Sequence, residues 1–352
     1  MRRASLAQAI DPKKVRPMAS PLEVVVIIVN YRSAAHCLRA LASVAKERAG
    51  SQLAISAIVV ENHSGDEAEL RQGIQAEYAD FCELVVSPVN GGYGAGNNLG
   101  LKVACERHPG VRYFHFLNPD TEVRPGAISG LVDFLEAHPR AGVAGSTFEH
   151  ADGTPWPVAF RFPSPLGELE GGACIGLLTR LLDRYKVPLA LGEAASQVDW
   201  LSGASMMFRR EALERVGGFD EGFFLYFEET DLCLRTKKAG FEIWYVPASR
   251  VMHVRGQSTG VTSLDDKPRR LPQYWFESRR RYFTKHYGLR FALAADVAFL
   301  LGNGIGRIKH RIEGHPVVPQ LLGDFVRESV IVGRNRTEPA PERCFMMPRE
   351  AV

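Results

Sequence analysis

The segment that decides the fold is Glu23-Val-Val-Val-Ile-Ile-Val29, a run of β-branched residues bounded by Pro21 and Asn30. A short, continuous apolar run of this composition is typical of a strand that is buried on both faces, as in a parallel sheet. Residues 34–48 then carry apolar side chains at helical spacing, and residues 55–60 form a second apolar run. The order strand, helix, strand predicts the start of an α/β domain.

The alternation of strands and helices continues toward the middle of the chain. It predicts a helix at 67–78, a strand at 83–87, a glycine-rich loop at 90–100, a helix that ends at 107 and a strand at 113–117. Polar residues follow the strands, at Asn30–Tyr31, Glu61–Ser64, Asn90–Gly92 and Asn118–Asp120. Because an open α/β sheet binds ligands at the carboxyl ends of its strands, we expect these loops to converge on one crevice.

The second half of the chain mixes irregular segments with short elements. Residues 143–166 are rich in Pro and Gly and predict loops. Residues 203–208 predict a strand, and 210–216 and 228–238 predict helices that end close to glycines. The chain has 352 residues, so one large α/β domain with C-terminal additions, or two domains, is expected.

Composition and charge narrow the classes of partner and compartment. The net charge is only +3 and no long basic tract is present, which argues against a nucleic-acid partner. The six cysteines lack C-x-x-C spacing, which argues against a zinc site or a disulfide framework and favours a reducing cytoplasm. The first 21 residues lack the apolar core of a secretory signal, and the apolar stretch Phe291–Leu301 is too short to cross a bilayer.

A carboxylate directly after a predicted strand is the first chemical signal. In Asn118-Pro119-Asp120, Asp120 follows an apolar run and suits Mg²⁺ or Mn²⁺, which take oxygen ligands and bridge to diphosphates. The structural alternative is a turn, because Asn, Pro and Asp are all good turn formers. His253 follows a later strand and is either a ligand at the same edge of the sheet or a hydrogen-bonded structural histidine.

Three acids in the first turn of a predicted helix are the second signal. Glu228, Glu229 and Asp231 occupy this turn, where one of them could remove a proton from an attacking hydroxyl. The structural alternative is that these acids stabilise the positive end of the helix dipole and that Asp231 forms an i,i+4 pair with Arg235. The two readings are equally compatible with the sequence.

The glycine-rich segment Asn90–Gly100 is the third signal. Its backbone N–H groups could bind phosphate at the start of a helix. A dinucleotide-binding fingerprint is disfavoured, because the first strand-to-helix turn, Asn30-Tyr-Arg-Ser-Ala34, has no glycine.

Together these motifs resemble family-2 glycosyltransferases of the GT-A fold, and most closely the bacterial rhamnosyltransferase-like branch. The resemblance covers residues 22–285 and is carried by motifs in a fixed order: Val29-Asn30-Tyr31, Val60-Glu61-Asn62-His-Ser64, Asn90-Gly-Gly-Tyr-Gly-Ala-Gly-Asn97, Leu117-Asn-Pro-Asp120, Trp200-Leu-Ser-Gly203, Gly217-Gly-Phe-Asp220, Phe227-Glu-Glu229-Thr-Asp231 and His253. It implies an α/β fold with a Rossmann-like, mixed, mostly parallel sheet flanked by helices and a C-terminal helical extension.

The resemblance also implies a role for individual residues. Glu229 would be the catalytic base, and Asp120 and His253 would hold Mg²⁺ or Mn²⁺. The residues implied for the donor nucleotide are Asn30, Tyr31, Glu61, Asn62, Ser64, Asn90, Gly91, Gly92, Gly96, Asn97 and Asn118. Those implied for the acceptor are Trp200, Ser202, Gly203 and Glu228. The sequence departs from the family at Glu61, where Asp is usual, and at Asn118, where a strict D-x-D motif has Asp.

The expected activity is inverting transfer of a sugar, such as L-rhamnose, from a dTDP or UDP donor to a glycan or polyprenyl-linked acceptor in bacterial surface polysaccharide synthesis. The alternatives are a non-catalytic protein that binds nucleotide sugars or carbohydrate, and a sugar nucleotidyltransferase. The latter is disfavoured because no glycine-rich, lysine-bearing loop follows the first strand. A nicotinamide dehydrogenase is disfavoured by the same missing glycines.

The expected organisation is a flexible tail at 1–21, a catalytic domain at 22–265, a helical extension at 266–332 and a disordered tail at 333–352. Within the extension, residues 274–286 interleave aromatic side chains with Arg279, Arg280 and Arg281. This pattern predicts either peripheral contact with an anionic bilayer on the cytoplasmic side of the membrane or a helix that packs its aromatics on the domain.

Overall fold

The computed structural model describes residues 23–150, 152–156, 158–253, 269–330, 332 and 344–347. The predicted tail at 1–21 lies outside the described residues, as does nearly all of the predicted tail at 333–352. The predicted boundary between 265 and 266 also falls in an undescribed segment.

Strands and helices alternate through the first half of the chain, as the sequence predicts. The described strands are β1 Glu23–Asn30, β2 Ala54–Glu61, β3 Cys82–Val86, β4 Tyr113–Leu117, β5 Thr121–Val123, β6 Ala141–Glu149, β7 Pro155–Trp156, β8 Ala159–Phe160, β9 Ser196–Gln197, β10 Trp200–Leu201, β11 Ser205–Arg209 and β12 Glu242–His253. The described helices are α1 Ala34–Gly50, α2 Glu67–Glu77, α3 Gly92–Arg107, α4 Ala127–Ala137, α5 Pro165–Ala173, α6 Gly176–Leu181, α7 Arg210–Val216, α8 Glu228–Lys238, α9 Gln273–Glu313 and α10 Leu321–Glu328.

The main sheet has the strand order β3-β2-β1-β4-β11-β6-β12-β5. The strands β3, β2, β1 and β4 are parallel to one another, whereas β11 runs antiparallel to both of its neighbours. Residues 24–28 of β1 are fully buried, because this strand lies inside the sheet with helices on its faces. The mixed, mostly parallel sheet confirms the predicted fold class.

Two segments that were predicted as loops are regular elements. The glycine-rich segment is helical from Gly92 onward, because Gly96 and Gly100 let α3 pack closely on β1. A Cβ at Gly96 would come within 2.7 Å of Val29, and one at Gly100 within 2.5 Å of Ile27. Likewise β6 extends to Glu149, and its glycines make room for side chains of neighbouring elements. The glycines Gly96, Gly100, Gly142 and Gly145 thus serve close packing and not chain reversal.

The aromatic and basic segment 274–286 lies mainly inside the protein. Tyr282 and Phe283 are fully buried, and Arg279 and Arg281 are 2% and 9% exposed. Arg281 is 2.8 Å from Asp220, which precedes α8. Arg279 and Arg281 thus form interior ion pairs and do not present the exposed basic surface that the sequence predicts, whereas peripheral membrane contact of the extension stays a prediction. The alternative, a helix that packs its aromatics on the domain, is confirmed.

Helix α9 is broken at Gly288, whose φ of +78° is non-helical. Arg279 before the break is 2.6 Å from Asp296 after it, so the two halves are tied together. Among the described residues, α9 is the one helix whose length and composition would let it cross a membrane. Of its most apolar stretch of 18 residues, 33% is buried in the protein. The apolar stretch Phe291–Leu301 is thus part of a helical element of 41 residues, longer than the sequence predicts.

Candidate active site

The loops after β1, β2 and β3 are joined by side-chain hydrogen bonds. Nδ2 of Asn62 donates to Oδ1 of Asn90 and to the carbonyl of Gly92, both at 3.1 Å. Nδ2 of Asn30 donates to Oδ2 of Asp66 at 2.9 Å, in the loop that follows β2. The predicted convergence of these loops on one edge of the sheet is therefore confirmed.

Asn30 and Glu61 are paired in register at the ends of β1 and β2. Ser64 donates from its backbone N–H and its hydroxyl to Oε1 of Glu61, which fixes this carboxylate at the strand end. Asp66 was not among the predicted site residues, yet it also accepts from the backbone N–H groups of Ser33 and Ala34. It precedes α2 and holds the start of α1 against the β2 loop.

Tyr31 follows β1 and is partly exposed, with the guanidinium of Arg32 5.2 Å from its ring centre. Arg32 has a φ of +53°, a left-handed conformation that is uncommon for a non-glycine residue. Such local strain is often found at functional sites. The position of Tyr31 directly after β1 is compatible with the predicted contact to the donor nucleotide, which stays a prediction.

Gly92 and Tyr93 join this edge of the sheet to the loop before α8. Gly92 has a φ of +86°, and a Cβ there would lie 1.9 Å from the carbonyl oxygen of Phe224. The backbone N–H of Tyr93 donates to the same carbonyl at 3.2 Å, and its hydroxyl donates to Gly203 at 2.7 Å. Tyr93 belongs to the glycine-rich motif, but the sequence does not predict it as a site residue.

Gly91, Gly96 and Asn97 lie at different depths of this region. Gly91 immediately precedes α3 and is partly exposed beside Gly92, whereas Gly96 packs against β1. Asn97 is fully buried and its Nδ2 donates to the carbonyl of Tyr93 at 3.0 Å. Gly96 thus lies in the α3–β1 interface, whereas Asn97 is buried and bonds within its own helix.

A carboxylate and an imidazole meet beyond β4. Asp120 follows the β4 turn, where the N–H of Asn118 donates to Ala204 at 3.0 Å. His253 ends β12 opposite Thr121 of β5, and its Nε2 lies 3.2 Å from Oδ1 of Asp120. Oδ1 of Asp120 is buried and accepts no hydrogen bond from any described residue.

This donor set fits a divalent cation that is also bound by a diphosphate. A carboxylate oxygen and an imidazole nitrogen are both ligands for Mn²⁺, and Mg²⁺ is commonly held by one or two carboxylates together with phosphates. No group of three or more His, Cys, Asp or Glu side chains with metal-site geometry occurs among the described residues. The remaining ligands of a cation here would therefore come from the substrate and water.

The acids of α8 are presented by a strained backbone. Tyr226 and Phe227 both have a φ of +68°, a left-handed conformation in two successive bulky residues. This turn sets Glu228 and Glu229 in the first turn of α8, with Glu228 only 3% exposed. Each of these two glutamates has one buried oxygen, Oε2, that accepts no hydrogen bond from the described residues.

Both glutamates are harder to ionise than an ordinary glutamate side chain. Burial raises the pKa of Glu229 to about 7, although backbone N–H groups, including that of Gly203, partly counteract it. Burial, and next the charge of Glu229, raise the pKa of Glu228 well above its ordinary value. Glu229 thus gains and loses a proton near neutral pH. Glu228 is held in its neutral form more strongly than an ordinary glutamate.

Asp231, the third acid, is an interior anchor. Its carboxylate contacts three side chains: Arg235 at 2.8 Å, Lys285 at 2.6 Å and His286 at 2.7 Å. Burial opposes ionisation of Asp231, yet these partners hold the pKa of its carboxyl well below its ordinary value. The predicted i,i+4 pair with Arg235 is confirmed, and Lys285 and His286 tie the C-terminal extension to α8.

A cavity of about 360 Å³ opens beside Glu229. Its lining includes Trp200, Tyr226, Phe227, Thr230, Trp275, Phe299 and Asn303. Trp275, Phe299 and Asn303 belong to α9, so the C-terminal extension forms one wall of the cavity. The sequence did not reveal this contribution, because the three residues lie on a helix far along the chain from the other lining residues.

Trp200, Ser202 and Gly203 border the same region. The Trp200 indole stacks on Phe160 with ring centres 4.2 Å apart and donates from Nε1 to the carbonyl of Arg161 at 2.9 Å. The backbone N–H of Ser202 donates to Val158 at 2.9 Å. A Cβ at Gly203 would lie 3.7 Å from the Cβ of Glu229, which places this turn against the first turn of α8.

Comparison with known sequences gives consistent matches. A family model described as glycosyltransferase like family 2 matches residues 21–271. The chain is 32% identical to an N-acetylglucosaminyl-diphospho-decaprenol L-rhamnosyltransferase of Mycobacterium tuberculosis strain H37Rv. The alignment spans 246 residues and covers 67% of this chain and 77% of that protein. It is 28% identical over 164 residues to rhamnosyltransferase WbbL of Escherichia coli K12, covering 46% of this chain and 60% of the relative.

Solved structures of similar fold include two glycosyltransferases crystallised with Mn²⁺. GalNAc-T7 with UDP, GalNAc and Mn²⁺ superposes with a TM-score of 0.53 at 13% identity, over 92% of this chain and 59% of that protein. The mannosyltransferase PcManGT from Pyrobaculum calidifontis with GDP-Man and Mn²⁺ gives 0.50 at 15% identity, over 89% of this chain and 82% of that one. At these identities the similarity is one of fold.

Proposed function

The chain belongs to glycosyltransferase family 2 and is a glycosyltransferase, and from that premise we propose that it transfers L-rhamnose from a dTDP or UDP donor to a polyprenyl-linked glycan acceptor. Similarity to rhamnosyltransferases of two bacteria supports the sugar and the acceptor class. The observation that carries the proposal is the cavity beside Glu229, which opens next to a carboxylate of raised pKa. Membership of the family disfavours a binding protein without turnover.

The donor nucleotide is bound at the ends of β1, β2 and β3. Asn30, Tyr31 and Glu61 contact the nucleoside, together with the loop residues Asn62, Ser64, Asn90, Gly91 and Gly92. The hydrogen bonds that join these loops support the assignment, because they hold the binding edge in one conformation before the donor arrives. Asn118 lies at the diphosphate end of the same edge, Asn97 is a further donor contact, and Gly96 acts by keeping α3 against β1.

Asp120 and His253 hold Mg²⁺ or Mn²⁺ at the diphosphate. The unsatisfied buried oxygen of Asp120 beside an imidazole supports this role. A divalent cation there supplies positive charge that offsets the charge developing on the leaving diphosphate. Asp120 orients the diphosphate end of the donor, so that the anomeric carbon faces the Glu229 cavity.

Glu229 is the base. A hydroxyl of the acceptor donates to the Glu229 carboxylate, which takes its proton as the oxygen attacks the anomeric carbon. The new glycosidic bond forms on one face of the sugar while the bond to the diphosphate breaks on the opposite face, so the configuration inverts. A pKa of about 7 supports this role, because a general base works best when its pKa is near the working pH.

The acceptor is bound by Trp200, Ser202, Gly203 and Glu228, together with the α9 wall of the cavity. The aromatic lining supports this assignment, because aromatic faces suit sugar rings and apolar chains. Residues 22–265 constitute the catalytic domain and 266–332 the extension that completes the acceptor site. The protein acts in surface polysaccharide synthesis in the cytoplasm, at the inner face of the membrane.

The decisive experiment incubates the purified chain with dTDP-L-rhamnose or UDP sugars, Mn²⁺ and a short-chain prenyl diphospho-N-acetylglucosamine, with products identified by mass spectrometry. We expect one added deoxyhexose, formed from dTDP-L-rhamnose and formed at least about 10²-fold more slowly by Glu229→Gln. Transfer of a different sugar would overturn the rhamnose assignment. Absence of transfer and of donor hydrolysis with every donor, from a chain that binds the donors, would overturn the catalytic assignment.

A further inference from the structure

A row of exposed aliphatic side chains runs along the part of α9 that follows Gly288. It consists of Leu293, Val297, Leu301, Ile305, Ile308 and Ile312, which are exposed by 42%, 44%, 57%, 39%, 65% and 81%. Their spacing of mostly four residues sets them on one side of a helix with 3.6 residues per turn. We call this row the α9 stripe.

The opposite side of the same helix packs on the protein. Ala295, Phe299, Gly302 and Gly306 are buried there, and a Cβ at Gly306 would lie 2.2 Å from the carbonyl of Gly172 in α5. The helix is therefore apolar on two sides, one of which is used for internal packing. An aliphatic row of this length on a surface is uncommon in a protein that contacts only water.

The charges around the α9 stripe are mainly positive. Between 289 and 313 the chain has Arg290, Arg307, Lys309 and Arg311, against two acids, Asp296 and Glu313. Asp296 is buried in its ion pair with Arg279, so it does not offset this charge at the surface. Aliphatic side chains with a cationic border are typical of helices that lie in the interface of an anionic bilayer.

The neighbouring helix α6 extends the apolar surface. Leu177 and Leu181 are each 71% exposed, and Lys309 of α9 donates to the carbonyl of Cys174, two residues before α6 begins. We propose that the α9 stripe and α6 form a docking face for an anionic phospholipid bilayer, with α9 lying in the plane of the interface. Because α5 packs on its other side, α9 lies on the membrane and does not cross it.

This orientation deepens the proposed function, on which its consequence for catalysis depends. Phe299 and Asn303 line the Glu229 cavity from the inner side of the helix whose outer side carries the stripe. A helix with side chains is about 10 Å across, so docking brings the cavity within about that distance of the lipid surface. The head group of a lipid-linked acceptor can then reach Glu229 without leaving the bilayer.

The test measures binding of the full chain to phosphatidylcholine vesicles with and without phosphatidylglycerol by co-sedimentation. We expect binding to the phosphatidylglycerol vesicles that weakens with salt, and at least a tenfold loss in Leu301→Asp/Ile308→Asp. Leu301→Ser/Ile308→Ser, which adds no charge, should show an intermediate loss. The matched control is Val326→Asp, an aliphatic residue of α10 that is 42% exposed and lies outside the stripe; it should bind as the wild type does.

Several results would overturn the docking face. The first is that the wild-type chain sediments with neither kind of vesicle. The second is that Leu301→Asp/Ile308→Asp binds as well as the wild type. The third is that Val326→Asp loses as much binding as Leu301→Asp/Ile308→Asp does. A dimer without lipid that becomes monomeric in the double variant would instead assign the stripe to a second copy of the chain. Unchanged unfolding midpoints exclude misfolding.

Different results would refute the docking face and the proposed sugar transfer. Vesicle binding without turnover of any sugar donor would leave the docking face standing and remove the proposed transfer. Transfer to a short-chain soluble acceptor without vesicle binding would do the reverse. If both hold, Leu301→Asp/Ile308→Asp should keep its rate on the soluble acceptor and lose at least tenfold on an acceptor embedded in vesicles.

Discussion

Nε2 of His253 lies 3.2 Å from Oδ1 of Asp120, a contact between the last residue of β12 and the turn that leads into β5. The pairing of β12 with β5 brings the two residues together, since His253 is opposite Thr121 in the ladder. A carboxylate from the turn after β4 and an imidazole at the end of β12 thus form one pair of possible metal ligands at the edge of the sheet.

Removal of Asp120 should abolish metal-dependent transfer. We expect Asp120→Ala to lower the rate by at least about 10²-fold, because the leaving diphosphate loses its electrostatic support. Chelation should stop the wild type, and Mn²⁺ or Mg²⁺ should restore it. Glu122→Gln, two residues away in β5 and partly exposed, should retain its rate. Full activity of Asp120→Ala in chelator would refute the metal assignment.

Glu229→Gln should remove most of the transfer activity and leave donor binding intact. Glutamine keeps the size of the side chain but cannot accept a proton, so the rate should fall by about 10² to 10⁴-fold. The controls are Glu228→Gln and Asp231→Asn, measured for initial rate and for nucleotide affinity. A near-normal rate for Glu229→Gln together with loss in either control would identify a different base.

The pH profile of kcat/KM should report the same carboxyl. A base must be ionised to act, so the wild-type value should fall as the pH drops below about 7, the pKa to which burial raises Glu229. The residual kcat/KM of Glu229→Gln should not fall in this way as the pH drops below about 7. A wild-type limb centred near 4.5 would show that Glu229 titrates as an ordinary carboxyl.

The raised pKa of Glu229 also predicts how stability changes with pH. Its folded pKa of about 7 exceeds the ordinary value of 4.5, so its contribution to stability is present below 4.5 and is lost as pH rises through about 7. The full difference is on the order of 3 kcal/mol. Glu229→Gln should therefore be more stable than the wild type at pH 8 and nearly equal at pH 4.5, as measured by urea unfolding. An equal difference at both pH values would contradict the assignment.

Gly92→Ala should destabilise the protein and weaken donor binding. Its φ is +86° and a Cβ would lie 1.9 Å from the Phe224 carbonyl oxygen, so the cost should reach about 2 to 4 kcal/mol. Gly126 is the matched control, because its φ is +84° and no atom lies within 4 Å of a Cβ there. Gly126→Ala should cost only about 1 kcal/mol. Equal losses in denaturant unfolding would show that the close contact has no effect.

Arg281→Met should loosen the junction between the catalytic domain and α9. The Asp220 carboxylate is fully buried, and removal of one partner leaves Lys285 as its remaining cation among the ion pairs described here. We expect a loss of about 3 kcal/mol in unfolding free energy. Arg71→Met, which breaks an exposed i,i+4 pair with Glu67, should cost less than about 0.5 kcal/mol. A similar small effect at Arg281 would show that the interior pair adds little.

Much of the fold could be predicted because its signals are local. The apolar run 23–29 and its successors mark strands by composition and length, and the predicted helix 210–216 matches α7. Glycines misled the prediction at 90–100 and after 143, because their role in close packing has the same sequence signal as a turn. Asp66 and Tyr93 escaped prediction, since their partners lie in other loops.

The sequence by itself determined which groups follow each strand and therefore which edge of the sheet would carry polar chemistry. Its local pattern left Glu228, Glu229 and Asp231 equivalent, because neighbours in one helical turn differ only in what packs against them, and the choice of Glu229 rested on the family resemblance. Burial beside Gly203, and the contacts of Asp231 with the distant Lys285 and His286, are products of tertiary structure. The burial of arginines in the segment 279–281 is likewise a product of tertiary structure, because three successive arginines are typical of an exposed surface. In the folded protein Arg279 and Arg281 are buried, because they pair with Asp296 and Asp220. These partners are also buried and lie elsewhere in the sequence, so the local charge pattern does not reveal them.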